Sequence, residues 1–308
     1  MDKKLYNNYS DFIKTIFNER VQKISIDAGF SCPNRDGTKA YGGCSYCDNK
    51  TFNPFYCSPE KSISRQLNEG IAFFEPKYKT QKYLAYFQAY TNTYADVETL
   101  KKYYDEALSH KKVVGMVIST RPDCVNKEII DLLNSYTDKF KVFLEFGIES
   151  TKDKTLEYIN RCHNFAETKK AFDLIIGTNL IVGGHLIIGL PGESNNNFIN
   201  HAKEISKLPL HTLKLHQLQI IRGTVMAVDY KKNPQNYNLL DADKYIEIVG
   251  EFIKYLNPKI IIERFSSESP RDMLIAPNWG GIKNFELTER IKKYLKFNNI
   301  YQGINYLK

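Results

Sequence analysis

The chain has 308 residues, 42% of them hydrophobic and 25% charged, enough apolar material for one large core or two modest ones. Lysine and arginine exceed aspartate and glutamate by 43 to 35, a net charge of +8 that fits a polyanionic partner without requiring one. No apolar stretch follows the charges of MDKKLYNNYSDFIK, and the longest nearly uncharged apolar run, 180–190, falls short of the ~18 residues a membrane span needs, so a cytoplasmic protein without membrane association is expected.

In chain order, short apolar runs predict strands at 21–27, 83–89, 113–119, 142–148, 180–190 and 213–221. Amphipathic patterns predict helices at 62–74, 97–109, 127–134, 165–176 and 195–207, with another at 241–255. Strands that alternate with helices pair in parallel through right-handed crossovers, which leaves an open doubly wound α/β sheet or a full or partial barrel. Six repeats suit a partial (β/α)6 barrel, whose chemistry gathers at the C-terminal ends of the strands. No repeat, linker or low-complexity run divides the chain, so a single domain is expected, with a core over 20–225 and a C-terminal extension over 226–308.

Directly after the first strand comes SCPNRDGTKAYGGCSYC, with Cys32, eleven residues, Cys44, two residues and Cys47. A C-x-x-C pair turns two thiolates toward one point, and Gly42-Gly43 lets the backbone bend there. Six cysteines in a chain without a secretion signal favour metal or redox chemistry over disulfides. Three readings stand on spacing alone. A structural zinc would take Cys57 as fourth ligand; a redox pair would leave Cys32 without a role; an iron-sulfur cubane held by three cysteines would leave one iron open.

The run CPNRDGTKAYGGCSYC, with its C-x11-C-x2-C spacing and an aromatic Tyr46 before the last cysteine, resembles radical S-adenosylmethionine (SAM) enzymes. Within them it resembles the bacterial branch related to the Elongator catalytic subunit, over nearly the whole chain, from KISIDAGFSCPNRDG to SPRDMLIAPNW. The resemblance implies a partial TIM-like barrel with a [4Fe-4S] cluster on Cys32, Cys44 and Cys47. SAM would chelate the open iron and, on one-electron reduction, yield a 5'-deoxyadenosyl radical. An external donor such as flavodoxin or ferredoxin would supply the electron.

The strand ends carry the other candidates. Gln88 closes the second strand and is placed to meet the SAM amino group, where many superfamily members carry a GGE motif that is absent here. Arg121 and Asp123 end the third strand in a supporting role. In KVFLEFGIES, alternation puts Glu145 and Glu149 on one face and Val142, Leu144, Phe146 and Ile148 on the other. Two carboxylates on one face of an apolar strand need partners, and the resemblance makes both candidates for SAM contact. Arg161 resembles the family's arginine near the SAM carboxylate, although Cys162 follows where glycine is usual. In GGHLIIGLPGES the glycines would let backbone approach an adenine, which the resemblance assigns to Ile187 to Gly189. His185 shares the face of Ile187 and is a candidate catalytic histidine. Lys214 and His216 share one face of the sixth strand, Gln217 and Gln219 the other. Cys57, Cys124 and Cys162 are too widely spaced for a second metal motif.

Two features lean toward RNA: the basic surplus, half of it from Lys283, Arg290, Lys292, Lys293, Lys296 and Lys308 against Glu286 and Glu289, and the resemblance itself. The understood members of that branch act on wobble uridine in tRNA, and the closest resemblance implies remodelling of a carboxymethylaminomethyl side chain toward aminomethyl and methylaminomethyl uridine, with a separate methyltransferase downstream. Two other readings stay open: a radical SAM enzyme acting on a peptide or small molecule, and a zinc-stabilised non-catalytic RNA-binding protein.

Overall fold

A computed structural model describes residues 4–51, 53–77 and 81–307. Its strands are β1 (Val21–Ile26), β2 (Lys82–Phe87), β3 (Val113–Thr120), β4 (Lys141–Glu149), β5 (Ile181–Ile188), β6 (Thr212–Gln217), β7 (Ile220–Ile221), β8 (Ile261–Arg264) and β9 (Leu274–Ala276). The helices are α1 (Tyr9–Phe17), α2 (Ile63–Phe74), α3 (Val97–Leu108), α4 (Lys127–Ser135), α5 (Asp153–Tyr158), α6 (Phe165–Leu174), α7 (Asn195–Ile205), α8 (Val225–Lys232), α9 (Ala242–Tyr255) and α10 (Asn284–Phe297). Polar residues fix many helix starts: the side chains of Asn8, Ser62, Asp96, Asn126 and Asp241 each accept a first-turn amide, and Asn164 with Glu167 forms a capping box.

Seven strands form one parallel sheet in the order β1-β2-β3-β4-β5-β6-β8. The expected six-fold α/β alternation is present, and β8 from the C-terminal extension adds a seventh strand. The sheet curls until its two ends meet, since Lys23 Nζ on β1 lies 2.7 Å from Glu263 Oε1 on β8. The free side of β8 is covered by the chain entering α1, where the Ile262 amide donates to the Asn7 carbonyl. Alternation along β4 then separates two cores. Leu144, Phe146 and Ile148 pack outward with the helices, Phe146 against Phe172 of α6. Phe143 faces inward with Leu84, Tyr86 and Val117, and the apolar side of α1 (Tyr9, Phe12, Ile13, Ile16 and Phe17) closes the barrel against them.

The predicted strand 213–221 is two strands. The chain leaves the main sheet after Gln217, whose side-chain amide makes two hydrogen bonds with the Ser267 backbone, and β7 then pairs with β9 in a separate antiparallel ribbon. Among the described residues no helix is long and apolar enough to cross a membrane.

Candidate active site

The cysteine loop is irregular backbone held at many points. The Cys32 carbonyl accepts from the Arg35 amide, the Cys44 carbonyl from the Cys47 amide, and Gly42 and Gly43 take φ of 80° and 84° to turn the chain between them. The buried Asn34 amide donates to the Asn160 carbonyl at 2.5 Å and approaches Cys44 Sγ at 3.6 Å, while Asn160 donates back to the Gly43 carbonyl at 2.9 Å. Ser45 is tied twice, its amide to Ile159 O and its carbonyl to the Met226 amide at the start of α8.

Cys32, Cys44 and Cys47 line one cavity of about 190 Å³ at the C-terminal ends of the strands. Gln88, Glu145, Glu149, Arg161, His185, Ile187 and His216 line the same cavity, as does Tyr46. Alternation had placed Gln217 and Gln219 opposite His216, but both also line it, because β6 ends at Gln217 and the face rule ends with it. Lys214 lies behind the wall and reaches the site through Glu145. Gly189, at φ 97°, is not among the lining residues. The glycines that begin the β5 motif serve packing: a Cβ on Gly183 would stand 2.7 Å from Thr212 Oγ1 and one on Gly184 2.8 Å from Ile148 Cδ1.

Glu145 is the hub. Only 2% of its side chain is exposed, and it accepts from Lys214 (2.6 Å), Lys23 and Ser119 (3.0 Å each) and Tyr86 (3.1 Å), with His185 Nε2 also at 3.1 Å. Glu263 shares the same two lysines, 2.7 Å from Lys23 and 3.5 Å from Lys214. Burial pushes the Glu145 carboxyl up, but Lys214, Lys23 and His185 outweigh it and hold the group well below its ordinary value. Burial and the Lys214 charge push His185 down; burial and Arg264 push His216 well down, so both rings are neutral, stacked 5.6 Å apart at 26°. The sequence reading missed Lys23, Glu263, Tyr86, Ser119 and Arg264. Lys23 alternates with Ser25 in VQKISI, a period-2 signal that would have found it.

Glu149 takes φ 64° at a register shift against β5, and Arg161 Nη2 stands 3.7 Å from it. Arg161 also donates to Gly147 O at 2.7 Å and approaches Cys44 Sγ at 3.5 Å. Cys162, where the resembling enzymes carry glycine, has φ 55°, the region glycine favours. Arg121 forks onto Asp123 with two bonds of 2.9 Å and donates to Arg161 O. Burial raises the Asp123 carboxyl, but Arg121 and Lys39 overcome this and leave it at about 2.

The sequence profile of the radical SAM superfamily matches residues 32–205, and that of the radical SAM C-terminal domain matches 210–296. The chain belongs to the radical SAM superfamily. YhcC of Escherichia coli K12 is 36% identical over 90% of this chain and 88% of its own length. A tRNA uridine(34) acetyltransferase of Methanocaldococcus jannaschii is 27% identical over 64% of this chain, which spans 35% of that protein. The structure of Methanocaldococcus infernus Elp3 superposes with a TM-score of 0.69 at 18% identity, over 92% of this chain and 64% of that one, a likeness of fold.

This superfamily of enzymes uses a [4Fe-4S] cluster and SAM, and the residues present fit both. Among the described residues no group of three or more His, Cys, Asp or Glu side chains converges as for a single metal ion, whereas three thiols wall one cavity, as a cubane bound at separate corners needs. Cys57 does not line that cavity; its thiol donates to Ser25 O at 3.0 Å, so it is not placed as a fourth ligand. Burial pushes the Cys47 thiol up to about 12, so a cluster held there would take the place of a proton. The buried Arg161 Nε and Arg121 Nη1 have no partner, which leaves donors for an anionic ligand. When bound, the cluster and SAM supply one-electron sulfonium cleavage and a primary carbon radical. The protein's own share is structural. Cys32, Cys44 and Cys47 would hold the cluster, with Arg161 beside Cys44 where it would face a thiolate; α1 and the Glu145 network close the barrel, and Glu145 fixes the His185 ring.

Proposed function

We propose that this radical SAM enzyme modifies tRNA, acting on the C5 side chain of the wobble uridine along the route from carboxymethylaminomethyl to aminomethyl and methylaminomethyl uridine. The observation that carries this reading is the similarity, over 64% of the chain, to a protein named for acting on tRNA uridine(34). That relative is much longer than the matched region, and no acetyl transfer is proposed here.

The geometry supports it in two ways. A second cavity of about 450 Å³ shares Gln217, Gln219, Ser267 and Ser269 with the first, and Trp279, Arg271 and Lys283 line it, an aromatic ring and two cations of the kind that receive an unstacked base and its phosphates. On α10, Leu287, Ile291 and Leu295 face the core while Arg290, Lys293 and Lys296 are exposed. Lys283 and Lys292 of the same basic group are ion-paired with Glu268 and Glu289, and Lys308 lies outside the described residues. An external reductant and a separate downstream methyltransferase are the further partners of this reading.

Comparative mass spectrometry of tRNA nucleosides with and without the gene tests it. Accumulation of carboxymethylaminomethyl uridine in the deletion supports the assignment; an unchanged profile rejects it in favour of a peptide or small-molecule substrate. Binding of total tRNA should weaken steeply with salt.

A further inference from the structure

Among the described residues, most charges around the barrel floor are paired. Lys23 and Lys214 share Glu145 and Glu263, Arg121 has Asp123, and Arg161 has Glu149. Arg264, half-buried at the end of β8, also lines the cluster cavity, yet among the described residues it forms no ion pair, and its buried Nε has no hydrogen-bond partner. Its contact is to a base: Nη2 lies 2.8 Å from His216 Nε2.

That contact fixes the protons of two rings. A guanidinium only donates, so His216 Nε2 offers its lone pair and the ring's proton sits on Nδ1. A carboxylate only accepts, so His185 Nε2, 3.1 Å from Glu145, carries the proton and Nδ1 keeps the lone pair. The rings stack 5.6 Å apart and both line the cavity. A cation, an N–H donor and a lone pair therefore stand side by side on one wall. A cation held partly out of water without an ion-pair partner is completed by a carboxylate, and a lone pair beside it suits an amine.

We propose that Arg264, His216 and His185 form the receptor for an amino-acid-like end of the substrate, with a carboxylate on Arg264 and His216 Nδ1–H and the adjoining amine on His185 Nδ1. The inference deepens the proposed function only in taking the uridine side chain as the molecule that carries this end. SAM also bears an amine and a carboxylate, so the test separates the two ligands.

The probe is N-ethylglycine, with N-ethylglycinamide as the control that keeps the amine and lacks the carboxylate, followed by saturation-transfer NMR on the anaerobically reconstituted holoenzyme. SAM affinity is measured in parallel by equilibrium dialysis. The wild type should bind the acid and not the amide. R264M should weaken the acid about ten- to a hundredfold, the range for hydrogen bonds to charged groups, and R264K should restore part of it while leaving the folded state intact. SAM affinity should move by less than about twofold. Unchanged acid binding in both variants overturns the proposal, and so does a parallel loss of SAM affinity, which would assign Arg264 to the cofactor. Should the tRNA profile prove independent of the gene while acid binding still requires Arg264, the tRNA reading fails and the receptor stands.

Discussion

Replacing Glu145 by Gln tests the buried network at its centre. The carboxylate is 2% exposed and holds Lys214 at 2.6 Å and Lys23 at 3.0 Å, so the neutral amide leaves two enclosed ammonium groups to share Glu263. Breaking one side of a buried ion pair costs about 3–5 kcal/mol, which in a chain of this size lowers Tm by roughly 5–8 °C. Anaerobic scanning calorimetry of the reconstituted protein reads that shift. The double variant Lys23→Met/Glu145→Gln removes the surplus cation, leaves Lys214 beside Glu263, and should recover more than half of the loss. The pH dependence has a definite sign. The Glu145 pKa is depressed on folding from an ordinary 4.5, so its stabilisation is complete above about pH 4.5 and is lost as pH falls through the folded value. The gap between wild type and Glu145→Gln should therefore stay constant from pH 8 to pH 5 and close only in stronger acid. A single variant within about 1 °C of wild type, or a double variant lower than the single, would refute the reasoning.

Three further outcomes are expected. Burial pushes the His163 imidazole down to about 3 from 6.5, so it folds neutral, and its stabilisation is lost as pH drops below 6.5; from pH 7 to 5 it should contribute about 2 kcal/mol of falling stability, which His163→Gln removes in denaturant titrations. Cys32→Ala, Cys44→Ala and Cys47→Ala should each yield colourless protein that does not cleave SAM after anaerobic reconstitution, whereas Cys57→Ala should stay brown and active, since its thiol bonds to Ser25 O outside the cavity. Gly183→Ala would set a methyl 2.7 Å from Thr212 Oγ1 and 3.2 Å from Glu145 Cγ, forcing β5 and β6 apart, and should cost about 1–3 kcal/mol in urea unfolding.

Period and punctuation made most of the sheet readable. Predicted strand 142–148 is β4 with one more residue at each end, and predicted helix 165–176 is α6 ending two residues earlier. What escaped was set by distance in the chain. β8 has four residues, too few for a periodic signal, and its place beside β6 follows from a crossover through α9 that carries no local mark. Lys23 and Glu263 are 240 residues apart, and only the curl of the sheet makes them partners. Glu145 was legible as a carboxylate needing a partner, because alternation is local, but the identity of that partner was not. The glycines before His185 misled for the opposite reason: an absent side chain signals close approach without saying by what, and here the neighbours are Thr212 and Ile148.

The double anchoring of Ser45 sets an order of events during synthesis. The three cysteines have all been translated by residue 47, yet the loop that carries them is fastened to Ile159 and to the Met226 amide, almost three quarters of the way along the chain. On the ribosome those thiols wait through most of elongation without a seat. A cluster inserted before α8 is made would therefore sit in a loop that still lacks one of its two anchors.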